Sequence, residues 1–154
     1  KNEKYMKSVP LSNSEILKFS YHRNPFNHMT VMFKKSFILS IGGYKHFHYR
    51  EDYALWCNAL SKGASTRNLN NVLVYVDGGT DMYKRRGNIF HLKYEFLLQK
   101  YLLSIGHINR SHYFINLILR GGNMVAGTTI RGIFYENFLR IKQSKEAKKS
   151  KWTE

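Results

Sequence analysis

The sequence predicts an α/β fold over residues 1–88 and a helical extension after them. Three observations carry this reading. Two β-prone runs, residues 28–33 (His-Met-Thr-Val-Met-Phe) and 71–77 (Asn-Val-Leu-Val-Tyr-Val-Asp), are interleaved with segments of helical periodicity. Between them, Glu51-Asp52-Tyr53-Ala54-Leu55-Trp56 sets a paired carboxylate directly ahead of an amphipathic run. From Ile89 onward the character becomes helical throughout.

Each element has its local cause. Ser12-Asn13-Ser14-Glu15 has the form of a capping box and predicts a short helix over residues 13–19. Asn24-Pro25-Phe26-Asn27 breaks it and reads as a turn. Residues 28–33 are then expected as a buried strand. Residues 34–41 would give one or two helical turns closed by Gly42-Gly43. Leu55, Trp56, Ala59 and Leu60 recur at helical spacing, and Gly63 is the stop signal. The run at 71–77 is the clearest strand, ended by Gly78-Gly79 and followed by a charged loop over residues 81–88. Helices are expected over residues 90–105, 110–119 and 129–141, and residues 143–154 form a basic tail with little to bury. The organisation is therefore residues 1–88, a helical extension over 89–142, and a disordered tail over 143–154.

Composition bounds the function. A hydrophobic content of 43% in 154 residues suits one folded domain. The single cysteine, Cys57, excludes an intrachain disulfide and points to a reducing compartment; on the apolar helix it reads as a small buried residue. The chain starts at Lys1 without methionine or a targeting signature, which suggests a piece of something longer. No stretch reaches the roughly 18 uninterrupted apolar residues that span a bilayer. Lysine and arginine give a net charge of +15, so a polyanionic partner is expected: nucleic acid, an anionic membrane face or a phosphorylated ligand.

Glu51 and Asp52 carry the candidate chemistry. At the first turn of a helix whose other face is buried, a carboxylate is fixed in direction and sits in the favourable field of the helix N-terminus, as a general base requires. A bare Glu-Asp pair is also what ordinary capping produces. His46 and His48 precede the pair, but without a helical ligand spacing they do not make a metal site.

The order of motifs decides between the readings. Arg23-Asn24-Pro25-Phe26-Asn27-His28-Met29-Thr30-Val31-Met32-Phe33 is followed by Gly42-Gly43-Tyr44, Glu51-Asp52-Tyr53-Ala54-Leu55-Trp56, Gly63, Asn68, Leu73-Val74 and Arg85-Arg86-Gly87. This series resembles the second, acceptor-side half of a family 2 glycosyltransferase, the bacterial GT-A (Rossmann-like) enzymes of capsule and surface-polysaccharide synthesis. The family's nucleotide-binding half, with its Asp-x-Asp metal motif, is not in the sequence. The resemblance implies that Asp52 is the base that deprotonates the acceptor hydroxyl, with inversion at the anomeric carbon. Glu51 would orient the loop or touch acceptor, and Arg85 and Arg86 would bind the donor diphosphate, where guanidinium forks fit phosphate oxygens. Asn27, His28 and Trp56 would line the acceptor or donor site, although Trp56 and Tyr53 fall on the periodic face that packs into a core. A structural role for His28, held by backbone, competes with ligand binding. The implied donor is a nucleotide sugar, a UDP-sugar by preference. The implied acceptor is a saccharide or lipid-linked saccharide, and a divalent Mn²⁺ or Mg²⁺ would be held mostly by residues outside this chain.

The helical extension adds a membrane expectation. Phe90, Tyr94, Leu97, Leu98, Tyr101 and Leu102 form one apolar stripe, read as packing onto the domain. Ile130, Ile133, Phe134, Phe138 and Ile141 form another, interleaved with Arg131, Arg140 and Lys142 and followed by Lys145, Lys148, Lys149 and Lys151. Such a basic amphipathic helix suits an anionic bilayer surface, consistent with a cytoplasmic, peripheral location at the inner membrane face. Two alternatives remain: a basic nucleic-acid-binding module, disfavoured because no recognised nucleic-acid motif is present and the aromatics follow core periodicity, and a non-catalytic remnant of a transferase. The isolated chain is expected to transfer little or no sugar by itself.

Overall fold

The computed structural model describes residues 9–74 and 89–121, and every regular element among them is helical. Helix α1 spans Asn13–Ser20, α2 Lys35–Ser40, α3 Glu51–Ser61, α4 Ile89–Ser104 and α5 Arg110–Asn116. A single π-helical turn, Leu117–Gly121, continues α5.

Helix α1 begins as its capping box dictates. The Ser12 hydroxyl accepts the Glu15 N–H at 3.4 Å, and the Glu15 carboxylate accepts the Ser12 N–H at 3.0 Å. Helix α3 ends in a Schellman motif: Gly63 N–H donates to the Leu60 carbonyl and Ala64 N–H to that of Ala59, both at 3.0 Å. That closure needs a left-handed residue, and Gly63 supplies it at φ +80°. Gly106, at φ +70°, closes α4 in the same way.

Helix α3 is the central element. All eight residues from Tyr53 to Leu60 are buried, so other elements cover it on every side. Tyr53, Ala54 and Cys57 pack with Leu98 and Leu102 of α4 and with Ile108. Leu55, Trp56 and Ala59 pack with Ile38 of α2, supported by Phe26, Val31 and Phe37. Cys57 is a fully buried free thiol, as its position on the apolar helix suggested.

Three expectations are corrected. Residues 28–33 are not a strand: His28–Thr30 is a 3₁₀ turn, in which the Asn27 carbonyl accepts both the N–H and the hydroxyl of Thr30, at 2.8 and 2.9 Å. Of the strand expected over 71–77, residues 71–74 are exposed and irregular, and the remainder lies outside the described residues. β-propensity is a preference for a pleated, half-buried surface, and neither residues 28–33 nor residues 71–74 meet one. Thirdly, the buried stripe of α4 is not wholly apolar. Leu98 and Leu102 are buried as expected, but their neighbours at helical spacing are Glu95 and Gln99, both fully buried, while Leu97 is exposed. The helix expected over 129–141 and the tail over 143–154 lie outside the described residues.

Polar groups tie α1 to the later helices. The Tyr53 hydroxyl donates to the Ser20 carbonyl at 2.7 Å, and the Ser20 hydroxyl meets His107 Nε2 at 2.9 Å. Burial pushes the His107 pKa from its ordinary 6.5 down to about 4, offset in part by the Ser20 backbone. Its folded pKa thus lies below its unfolded one, so the unfolded chain binds more protons as the solution is acidified. The stability tied to neutral His107 is complete above pH 6.5 and is lost as the pH falls towards 4. In urea titrations across that interval, His107→Gln should flatten the decline in unfolding free energy relative to the parent.

Candidate active site

The Glu-Asp pair stands where the sequence puts it, as the first two residues of α3. Asp52 is half-buried, and both of its oxygens are held. Oδ1 accepts the Tyr53 N–H at 2.7 Å, and Oδ2 accepts the Asn24 side-chain Nδ2–H at 2.8 Å. Each oxygen has taken one donor and keeps a further lone pair. The carboxylate is fixed in direction yet able to accept a proton.

Asn24 is the residue that sequence reasoning left in a turn without a role. Its Oδ1 accepts the Phe26 N–H at 3.2 Å, an Asx turn that orients the amide so that Nδ2 faces Asp52. The turn is itself anchored: Pro25 is fully buried, and its carbonyl accepts from Asn68 Nδ2 at 3.2 Å, which also donates to the Pro10 carbonyl at 2.7 Å. An Asn-Pro pair ahead of a Glu-Asp helix start was the available signal.

The same turn reaches Trp56, one helical turn beyond Asp52 on the same face of α3. The Trp56 ring meets Phe26 edge-on at 5.7 Å, Phe33 at 5.8 Å and His28 at 6.2 Å. His28 is exposed and also approaches Tyr44 at 6.1 Å. Trp56 is buried, and its indole N–H has no acceptor among the described residues. It therefore serves the core as its periodicity required, while His28 and the half-buried Asn27 form the rim above it. Asp52, Trp56, Asn27 and His28 are thus gathered along one side of α3. Arg85 and Arg86 lie outside the described residues.

Glu51 faces elsewhere. With Tyr44, Lys45, His46, Phe47 and His48 it lines an open depression of about 390 Å³. The chain passes from this loop into α3 through Tyr49, whose φ of +61° is left-handed and uncommon for a residue with a side chain. Arg50 N–H then closes a turn on the Phe47 carbonyl at 2.7 Å, and the Arg50 carbonyl accepts the Ala54 N–H at 2.9 Å. The N-cap residue of α3, Arg50, makes no side-chain cap bond. Among the described residues no three His, Cys, Asp or Glu side chains converge to hold a metal, and no helix is long and apolar enough to cross a membrane.

Comparison with known proteins gives the site its context. The chain is 38% identical over 135 residues to the UDP-Gal:alpha-D-GlcNAc-diphosphoundecaprenol beta-1,3-galactosyltransferase of Escherichia coli, covering 88% of this chain. It is 40% identical over 113 residues to the amylovoran biosynthesis glycosyltransferase AmsE of Erwinia amylovora, covering 71% of this chain. An uncharacterized glycosyltransferase of Haemophilus influenzae is 36% identical over 134 residues, 87% of this chain. All three are named glycosyltransferases. The chain spans about half the length of these relatives: 49%, 42% and 49%. No protein-family model and no solved structure matches it. The Glu-Asp helix, its Asx turn and the depression beside Glu51 are thus features of a chain whose homologues are glycosyltransferases, one of them in amylovoran synthesis.

The Asn24 anchor has a direct consequence for folding. Asn24→Ala removes one hydrogen bond to a carboxylate and the Asx turn together, so unfolding free energy should fall by about 1–3 kcal/mol with little change in far-UV circular dichroism.

Proposed function

We propose that this chain is the acceptor-side part of an inverting GT-A glycosyltransferase that moves a sugar from a nucleotide donor onto a saccharide. The observation that carries the reading is the Asp52 carboxylate, anchored by Asn24 at the start of α3 with lone pairs unused. A sugar hydroxyl is a weak nucleophile until its proton has an acceptor. In the proposed step, Asp52 takes that proton as the acceptor oxygen bonds to the anomeric carbon. The bond from that carbon to the donor phosphate breaks, and the nucleoside diphosphate leaves with the electron pair. Attack from the side opposite the leaving group inverts the anomeric configuration.

Other roles follow from position. Glu51, with the aromatic rings of Tyr44 and Phe47 beside it, would hold acceptor hydroxyls and sugar faces. Arg85 and Arg86 would meet the diphosphate, whose charge grows as it leaves. A divalent ion would assist departure of the diphosphate. The described residues do not assemble its ligands, so no step here runs through it. The donor is proposed as a UDP-sugar and the acceptor as a lipid-linked saccharide, in keeping with the named substrates of the Escherichia coli relative. A lipid-linked acceptor and a net charge of +15 together favour peripheral work at the inner face of the cytoplasmic membrane.

The test is a transfer screen with the full-length protein against nucleotide sugars and saccharide acceptors. Asp52→Asn keeps the shape and loses the base, so turnover should fall by about 10²–10⁴-fold while nucleotide affinity, read by titration calorimetry, stays near the parent value. Turnover retained in Asp52→Asn would remove the base assignment.

A further inference from the structure

The proposed base is held on one side by the Asn24 turn, while the N-cap residue before it, Arg50, makes no side-chain cap bond and turns its side chain elsewhere. The structure supplies a buried carboxylate on another element. Glu95 of α4 has no exposed surface. One oxygen, Oε2, lies 3.2 Å from Nε of Arg50, the residue immediately before Glu51 and Asp52, as an ion pair rather than an aligned hydrogen bond. The other, Oε1, is bound by Arg120 and by Gln99 Nε2 at 2.9 Å. Gln99 passes the restraint on, because its Oε1 accepts from Asn116 Nδ2 at 2.9 Å. Asn116 in turn bonds the Tyr21 carbonyl at 2.8 Å and His22 Nδ1 at 2.7 Å. Arg120 lies over the Tyr53 ring at 5.2 Å, the residue after Asp52. Burial opposes the Arg120 charge, but the Glu95 carboxylate outweighs it, so the guanidinium pKa is raised.

Resting on the reading of Asp52 as base, we propose that Glu95 is a positioning residue for the transfer reaction: through Arg50 it fixes the first turn of α3 and thereby the direction of the Asp52 carboxylate. Arg50 is the hinge of this arrangement. Its backbone closes the turn from Phe47 and opens α3 at Ala54, directly after the left-handed Tyr49. A guanidinium free to move would let that turn re-form with Tyr49 relaxed, swinging Asp52 off the acceptor. A core made only for stability would favour leucine at position 95, since a buried ion pair rarely outperforms well-packed apolar groups. A buried carboxylate clamped between two arginines, one of them preceding the proposed base, is instead suited to holding direction.

The test is a double-mutant cycle on full-length protein, reading kcat and donor KM separately. Glu95→Gln and Arg50→Gln should each lower kcat by about tenfold to a hundredfold, as expected for a base displaced by about 1 Å, with donor KM within about twofold. The double variant should be no worse than about threefold below either single, because both remove one interaction. Arg50→Lys, which keeps the charge, should recover part of the loss. A folded Arg50→Gln or Glu95→Gln with parental kcat, or losses that multiply in the double variant, would overturn the proposal. If Glu95→Gln fails to fold, the half-exposed Arg50 variants decide the matter alone. Asp52→Asn run alongside separates the two ideas: full turnover there rejects the base, whereas its loss with parental Arg50→Gln rejects only the positioning.

Discussion

Glu95 is a carboxylate with no exposed surface on the packed face of a helix, and the arrangement of the later helices around α3 follows from satisfying it. A buried carboxylate is tolerated only where opposite charge and hydrogen bonds replace the water it has lost. Here the hydrogen bonds come from Gln99 one turn along α4 and Arg120 in the π turn after α5, both to Oε1, and Arg50 before α3 brings a second positive charge to Oε2. Removing one partner of such a group costs about 3–5 kcal/mol, because a buried charge is left uncompensated. The π turn itself lies where the chain must deliver Arg120 to that spot, in keeping with the tendency of such turns to mark functional positions.

The same constraint explains how a partly exposed carboxylate can be held firmly. Helix α3 is buried on all sides, so its axis is set by packing from Tyr53 to Leu60. Its first two residues, Glu51 and Asp52, lie outside that grip, and its N-cap residue makes no side-chain cap bond. This start of the helix is held from one side by the Asn24 Asx turn, tied back through Pro25 and Asn68, and from the other by the Arg50–Glu95 pair. Between these anchors the chain keeps Tyr49 in a left-handed conformation that costs about 1–3 kcal/mol and persists only where its surroundings impose it. Strain placed one residue before the anchored arginine and three before the proposed base fits a site shaped for direction.

Much of this was legible in the sequence, and what was not has physical reasons. The capping box at Ser12 and Glu15, the helix from Glu51 to its Gly63 stop, and the helical character after Ile89 are local signals, and local chemistry decided them. The run His28-Met29-Thr30 read as a strand because its residues suit one. Strand formation depends on a partner edge, and the Asn27 carbonyl captured Thr30 in a 3₁₀ turn instead. The role of Glu95 was hidden for a different reason. A charged residue reads as a solvent face, and only knowledge that arginines 45 residues before and 25 after it converge there could place it inside. Asn24 was likewise visible as a turn residue, while its second bond to Asp52, across 28 positions, belongs to the tertiary structure.

The central claim is that the buried pair holds the first turn of α3 in place. Amide hydrogen exchange on the full-length protein, with and without Glu95→Gln, reads that turn directly. The account predicts faster exchange confined to the Tyr53 and Ala54 amides, with Ala59 and Leu60 at the far end of α3 as protected as in the parent. Unchanged protection at Tyr53 and Ala54, or an equal loss along the whole of α3, would contradict it.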